Sequence, residues 1–186
     1  MAYKNFLELA KSRRTTYEYS DKKIALAKLN KILEAGRWAP SCTNTQPWHF
    51  VVVSNKKTIT RLMMSANYGD FHLDPPLIIA IVLVQEKCQG DGFACFRGTD
   101  TGVYDSYMSI GMAALNMALE ARDLGVDSCI LTPTQEKARV VLSVSENDAV
   151  PLILGVGYQK KGAFEKRRER ILLKEIVSYE KMGGKK

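Results

Sequence analysis

An unbroken apolar run over residues 77–84 follows directly on Pro75 and Pro76, and no other feature limits the fold of this chain as much. Paired prolines keep a helix from running into the segment. The run is strand-sized, well short of the roughly 20 residues that a membrane-spanning helix needs. It reads as a strand, 77–85, and segments around it alternate between helical and strand periods. Residues 3–11 read as a helix with Phe6, Leu9 and Ala10 on one face. Ser20 or Asp21 can cap a second helix, in which Leu26, Leu29, Leu33 and Gly36 recur at helical spacing. Residues 49–54 contain Val51-Val52-Val53, the pattern of a strand buried on both faces. Residues 56–66 are amphipathic through Ile59, Leu62, Met63 and Ala66.

The second half continues the alternation. Residues 86–102 are polar and glycine-rich, the composition of a mobile loop or lid. A long helix over 105–124 places Met108, Met112, Leu115, Leu119 and Arg122 along one stripe, with Gly111, Ala113, Ala114, Ala118 and Ala121 nearby. Small residues let another helix approach closely, which marks a central core or dimer helix, and the methionines read as packing. Gly125 ends it. A short strand over 127–131 is followed by Thr132-Pro133-Thr134-Gln135, which opens a helix to Leu142 with a capping-box pattern and proline at the first helical position. The last strand is 151–158 and a terminal helix is expected over 172–182. With 186 residues, no internal repeat and no linker rich in proline or glycine, the chain reads as one domain, 1–186. The connections are too irregular to demand a parallel doubly wound sheet, and no G-x-G-x-x-G follows the first strand, so a Rossmann site is poorly supported.

Composition excludes several functions. Apolar residues at 46% and charged residues at 25% are those of a folded globular chain. No segment is long and apolar enough to span a membrane, and residues 1–14 mix Lys4, Glu8 and Lys11 into their apolar positions, unlike a signal peptide; the expected location is cytoplasmic. Cys42, Cys88, Cys95 and Cys129 show neither C-x-x-C spacing nor neighbouring histidines, so no metal site is expected. Cys88 and Cys95 bracket a polar segment and read as free thiols of a reducing compartment, with a redox-sensitive pair or a cluster ligand set shared with a partner chain as the sharper alternatives. His49 and His72 read as structural. The net charge of +7 concentrates at 160–170 and the termini without interleaved aromatic residues, which disfavours a nucleic-acid partner.

The chemistry gathers in three places. From Ala39 to Trp48 the chain reads A-P-S-C-T-N-T-Q-P-W, a loop whose Pro40 and Pro47 set the backbone at either end and whose Ser41, Thr43, Asn44 and Gln46 supply short donors and acceptors. Upstream stand Arg13 and Arg14, then the hydroxyls of Thr15 and Thr16. Downstream, Gly157-Tyr158 leads into Lys160, Lys161, Lys166, Arg167, Arg168 and Arg170, then E-I-V-S-Y-E from Glu175 to Glu180.

In combination these motifs closely resemble the FMN-dependent nitroreductase family, over nearly the full length. The resemblance implies an α+β fold with a central mixed or antiparallel sheet flanked by helices, dimeric, with the flavin at the subunit interface. It implies that Arg13 and Thr15, with Arg14 beside them, hold the flavin phosphate and ribityl chain, that Ser41, Cys42, Asn44 and Gln46 belong to the flavin site, Ser41 and Asn44 reaching it from the opposite subunit, and that Lys166 and Arg168, or in another register Arg167 or Arg170, close on the phosphate. Thr132 and Pro133 lie in the stretch that, by resemblance, approaches flavin N5; Pro133 has no N–H, so Thr132 or Thr134 would serve. Two positions depart from the family pattern: Tyr17 stands where a basic residue is common, and no lysine occupies 67–74.

The implied activity is electron transfer from NAD(P)H to a small-molecule acceptor such as a nitroaromatic or quinone, in two half-reactions at one FMN. No side chain is expected to act as nucleophile, acid or base, since the cofactor performs the chemistry and the protein orients it. The alternative is a flavin-binding module without NAD(P)H turnover, a sensor or an electron-transfer partner.

Overall fold

Strand β2 (Leu77–Leu83) deals its side chains alternately to two cores: Ile79, Ile81 and Leu83 join one buried cluster, Ile78, Ala80 and Val82 the other. Such a strand is satisfied only inside a sheet covered on both faces. In the computed structural model, which describes residues 3–67, 69, 74–88, 93, 99–163 and 169–184, β2 lies second in a four-stranded sheet. The others are β1 (Trp48–Val53), β3 (Asp127–Leu131) and β4 (Ala149–Gly157), in the order β1-β2-β4-β3 with every pairing antiparallel.

Helices cover both faces. On one side lie α2 (Leu26–Arg37) and α4 (Thr99–Asp123), with Ile32, Ile110, Ala114, Met117 and Ala121 fully buried against the sheet. On the other, α3 (Lys56–Ser65) and α5 (Gln135–Leu142) contribute Ile59, Leu62, Met63 and Ala138. The short α1 (Phe6–Ser12) packs against α4 and buries no residue fully. Asparagines start two of these helices by the capping route: Asn5 Oδ1 accepts from the Glu8 N–H at 3.0 Å and Asn55 Oδ1 from the Thr58 N–H at 3.2 Å.

The strand over 127–131 and the stop at Gly125, whose φ is +68°, stand as read from the sequence. Other expectations are corrected. The core face of α4 is carried by its alanines rather than its methionine stripe: Met108, Met112 and Leu115 are 55%, 36% and 47% exposed and only Leu119 of that stripe is buried, while Ala113, Ala114, Ala118 and Ala121 face the core. Gly36 explains the choice, since a Cβ there would lie 2.1 Å from Met117 Cε, so α2 and α4 approach at a distance only small side chains allow. Strand β1 is an edge strand with His49 and Val52 exposed, not buried on both faces. Helix α2 begins at Leu26 behind Ala25, without a side-chain cap from Ser20 or Asp21. Helix α4 starts within the stretch expected to be loop, six residues before Asp105. Pro133 precedes α5 rather than opening it, and Thr134 makes no side-chain cap bond.

No terminal helix forms over 172–182. A single 3-10 turn, Leu173–Glu175, is found there, and Ile171, Leu172, Leu173 and Ile176 are 57–72% exposed, so this segment has no apolar face against which a helix could pack.

Ser143 closes α5 in the left-handed region at φ 55°, donating its N–H to the Arg139 carbonyl. A side chain there costs about 1–2 kcal/mol and glycine avoids it, less about 0.5–1 kcal/mol of added unfolded-state entropy. Ser143→Gly is expected to stabilise the protein by about 0.5–1 kcal/mol, raising Tm by about 1–4 °C in thermal unfolding; a lowered Tm contradicts the assignment.

Candidate functional site

The segment carrying Arg13 to Thr16 leaves α1 in extended conformation and lies along the outer edge of β3, where Thr15 bridges Ser128 in parallel and the Thr16 N–H donates to the Ser128 carbonyl at 3.1 Å. Side chains tie it down at both ends. Arg122, in the last turn of α4, donates from Nη1 to Asp127 Oδ1 at 3.1 Å and from Nε to Ser12 Oγ at 3.3 Å. The second Asp127 oxygen accepts the Gln159 N–H at 2.9 Å, and Gln159 Oε1 accepts from Arg14 Nη2 at 2.7 Å. Arg13 thus stands between two residues anchored to one carboxylate cluster. Three residues on, Thr16 is 1% exposed and its hydroxyl has no hydrogen-bond partner among the described residues.

Further along, Tyr19 bridges Gln159, the Ser20 N–H donates to the Tyr158 carbonyl at 2.8 Å, and the Lys160 N–H donates to the Glu18 carbonyl at 3.0 Å. The Tyr19 hydroxyl donates to the Gly155 carbonyl at 3.2 Å, and burial, with Cys129 and Asp127 adding to it, pushes this phenol well above its ordinary pKa. Lys22 sits 4.3 Å from the Tyr158 ring centroid and Lys28 5.6 Å, cation–π contacts that fix the ring after β4.

The proline-bracketed loop folds as a 3-10 turn, Cys42–Asn44, in strained backbone. Thr43, Asn44 and Gln46 have φ of +48°, +59° and +49°. Asparagine tolerates this region, whereas a β-branched threonine there is a genuine outlier of the kind concentrated at ligand clamps. Hydrogen bonds hold it: the Asn44 N–H donates to the Ser41 carbonyl at 3.1 Å and the Gln46 N–H to Ser41 Oγ at 3.0 Å. Ser41 therefore organises the loop, with its hydroxyl proton still able to donate, while Thr43, Asn44 and Gln46 are exposed. The exit is fixed by Trp48, 6% exposed and stacked on Phe50 at 6.4 Å. The loop lies against the middle of α4, where Cys42 and Thr43 join Asp105, Met108, Met112 and Leu115 around an open groove of about 630 Å³.

At the far end of β3, Asn67 donates its N–H to the Thr132 carbonyl at 2.9 Å and Thr134 donates its own to the Ser65 carbonyl at 2.8 Å, while Ala66 bridges Pro133. Thr132 and Thr134 are exposed and Pro133 is buried. The structure thus brings Arg13, Arg14 and Thr15 together at the start of β3 and places Thr132 and Pro133 at its end. Ser41, Cys42, Asn44 and Gln46 form a separate group: their neighbour Met112 lies ~15 Å along α4 from Arg122. Lys166, Arg168, His72 and Cys95 lie outside the described residues.

Sequence reasoning missed Asp127, Arg122 and Gln159, whose ties to the arginine segment cross up to 145 positions of chain; between the two clusters Ile130, in the stretch read as approaching the flavin, is a 37% exposed apolar side chain on β3. The one signal available was an aspartate opening a strand. Among the described residues no group of three or more His, Cys, Asp or Glu could hold a metal ion, and no helix is long and apolar enough to cross a membrane.

The protein is thus an antiparallel sheet between two helical layers, with an arginine-bearing segment on one sheet edge and a strained polar loop on α4, and comparison with known proteins places it. The nitroreductase family model matches residues 10–74, the span that holds both Arg13 and the loop. An Archaeoglobus fulgidus protein bearing the name "Putative NADH dehydrogenase/NAD(P)H nitroreductase" is 31% identical over 83% of this chain and 85% of its own. Among solved structures, a nitroreductase family protein of Clostridium difficile 630 superposes with a TM-score of 0.79 at 30% identity, covering 95% of this chain and 99% of its own. An FMN-dependent nitroreductase of Clostridium difficile R20291 gives 0.76 at 26%, covering 95% and 99%. The chain belongs to the nitroreductase family and is an oxidoreductase with the nitroreductase fold.

Proposed function

We propose that this protein is an FMN-dependent oxidoreductase of the cytoplasm, which takes electrons from NADH or NADPH and passes them to a small acceptor such as a nitroaromatic or a quinone. The observation that carries the reading is the outer edge of β3. At its start lie Arg13 and Thr15, a guanidinium and a hydroxyl suited to a phosphate dianion; at its end, four residues or ~13 Å further on, lies Thr132; and the exposed apolar Ile130 stands between them. A phosphate anchor, an apolar wall and a polar terminus in line meet the needs of a mononucleotide with a flat ring.

The residues fit FMN by their chemistry. Arg13 would hold the phosphate by charge-assisted hydrogen bonds, Thr15 the ribityl chain, and Thr132 the ring edge. When bound, FMN supplies the hydride-accepting and hydride-donating chemistry. The chain itself supplies binding, orientation and a fixed positive field, which favours the added negative charge of a reduced cofactor.

A homodimer completes the site in this reading. Within one chain the strained loop sits at the middle of α4, away from the arginine segment, and the face of α4 around it is apolar and uncovered: Tyr104, Met108, Met112 and Leu115 are all 36% exposed or more. A second copy seated there would bury this face and bring Asn44 and Gln46 to the other chain's flavin. Purified protein is therefore expected to be a yellow dimer, whose visible flavin absorbance bleaches when NADH or NADPH is added anaerobically and returns with a nitroaromatic or quinone. A yellow protein that stays oxidised under excess of both nicotinamides indicates a flavin-binding module without turnover. A colourless monomer that takes up no FMN rejects both.

A further inference from the structure

The cluster around Asp127 is more elaborate than a surface loop needs. Its members come from four separate places: Ser12 at the end of α1, Arg122 in the last turn of α4, Asp127 at the start of β3, and Gln159 just beyond β4. Every acceptor is used in order. The Ser12 hydroxyl gives its proton to the Leu9 carbonyl at 2.8 Å and so accepts from Arg122; both oxygens of Asp127 are engaged; and Gln159 hands the connection on to Arg14. The Arg122 and Asp127 side chains are only 19% and 12% exposed, so the pair is shielded from water. What the cluster grips is the pair of residues flanking Arg13, one on each side.

We infer that Arg122, Asp127 and Gln159 are positioning residues for the phosphate anchor, and that the preference of this protein for a phosphorylated flavin depends on them although they do not touch it. The inference rests on the FMN reading above. A guanidinium on a free chain end would recognise the same phosphate but lose more freedom in doing so; a backbone fixed at Ser12 and Arg14 presents Arg13 and Thr15 already in place.

The test separates positioning from mere structure by using a ligand without the phosphate. Protein stripped of flavin is titrated with FMN and with riboflavin, following flavin fluorescence, for the native chain and for Arg13→Ala, Gln159→Leu, Gln159→Glu and Asp127→Asn, with Tm recorded for each. Gln159→Leu is expected to lower FMN affinity about tenfold and leave riboflavin affinity within about twofold. Gln159→Glu keeps an acceptor for Arg14 but adds a negative charge beside the anchor, so it is expected to lower FMN affinity while leaving riboflavin affinity within about twofold. Asp127→Asn is expected to lose FMN selectivity in the same sense. Equal losses for both ligands, or unchanged FMN affinity in Gln159→Leu and Asp127→Asn while Arg13→Ala abolishes the preference, overturn this inference alone. A native chain with no preference for FMN over riboflavin, unaltered by Arg13→Ala, overturns the FMN reading and this inference with it.

Discussion

Gly157→Val is expected to cost the fold about 3 kcal/mol or more. Gly157 closes β4, paired with Asp127 across the sheet, and a Cβ at this position would stand 2.6 Å from Pro76 Cδ and 2.7 Å from Tyr19 Cδ1. Neither neighbour can yield cheaply. Pro76 is a locked ring at the entrance to β2, and Tyr19 is 6% exposed, bonded through its hydroxyl to Gly155 and bridged to Gln159 through its main chain. Gly36 makes a useful contrast: its Cβ would collide first with the terminal methyl of Met117, a flexible side chain able to swing away, so Gly36→Ala should be the milder change. Overpacking typically costs about 1–3 kcal/mol, and two stiff rings with a branched side chain place Gly157→Val at the top of that range or beyond. For a chain of this size each kcal/mol moves Tm by about 2–4 °C, so thermal unfolding should fall by about 6 °C or more. A drop under about 2 °C would mean that Pro76 and Tyr19 do not bracket this glycine as described. Because Gly157 lies opposite Asp127, the milder Gly157→Ala should also disturb the anchor of the arginine segment.

The parts of the fold legible in the sequence are those decided by neighbours along the chain. Strand β3 stands between Gly125 and Pro133, and β2 follows paired prolines; both had local stops, and both lie where periodicity put them. The face of α4 was illegible because two stripes, one of large and one of small apolar residues, are equally good hydrophobic faces by period alone. Which one turns inward was settled by a glycine 81 positions from Met117, on α2, that drew the helices together. Over 172–182 the apolar residues have helical spacing but no surface in the chain to pack on, and propensity alone does not form a short helix. The site divides in the same way. Arg13 and the proline-bracketed loop are contiguous motifs that a sequence can nominate, whereas Asp127, Arg122 and Gln159 come together only through contacts between distant segments. Backbone strain at Thr43 was hidden as well, because nothing in threonine's chemistry announces a positive φ.

Removing the Arg13 side chain is expected to weaken FMN binding by about tenfold to a hundredfold, the worth of a charge-assisted hydrogen bond of about 1.5–3 kcal/mol. The fold should survive, since Arg13 closes α1 through its main chain, its N–H donating to the Leu9 carbonyl at 3.2 Å, and alanine keeps that bond. Asn44 needs a different substitution. Its φ of +59° is tolerated by asparagine and resisted by alanine, so Asn44→Ala would mix the loss of an amide with backbone strain of about 1–2 kcal/mol, whereas Asn44→Gly removes the amide and keeps the turn. The two variants should differ in kind. Arg13→Ala should erode the advantage of FMN over riboflavin and reduce the salt dependence of FMN binding, because a charge pair with the phosphate is lost. Asn44→Gly should weaken both flavins alike, because in the proposed dimer the amide would meet the ring, which the two share. Titration of flavin-free protein with each ligand at two ionic strengths reads out both patterns, and undiminished FMN affinity in both variants would show that neither residue belongs to the flavin site.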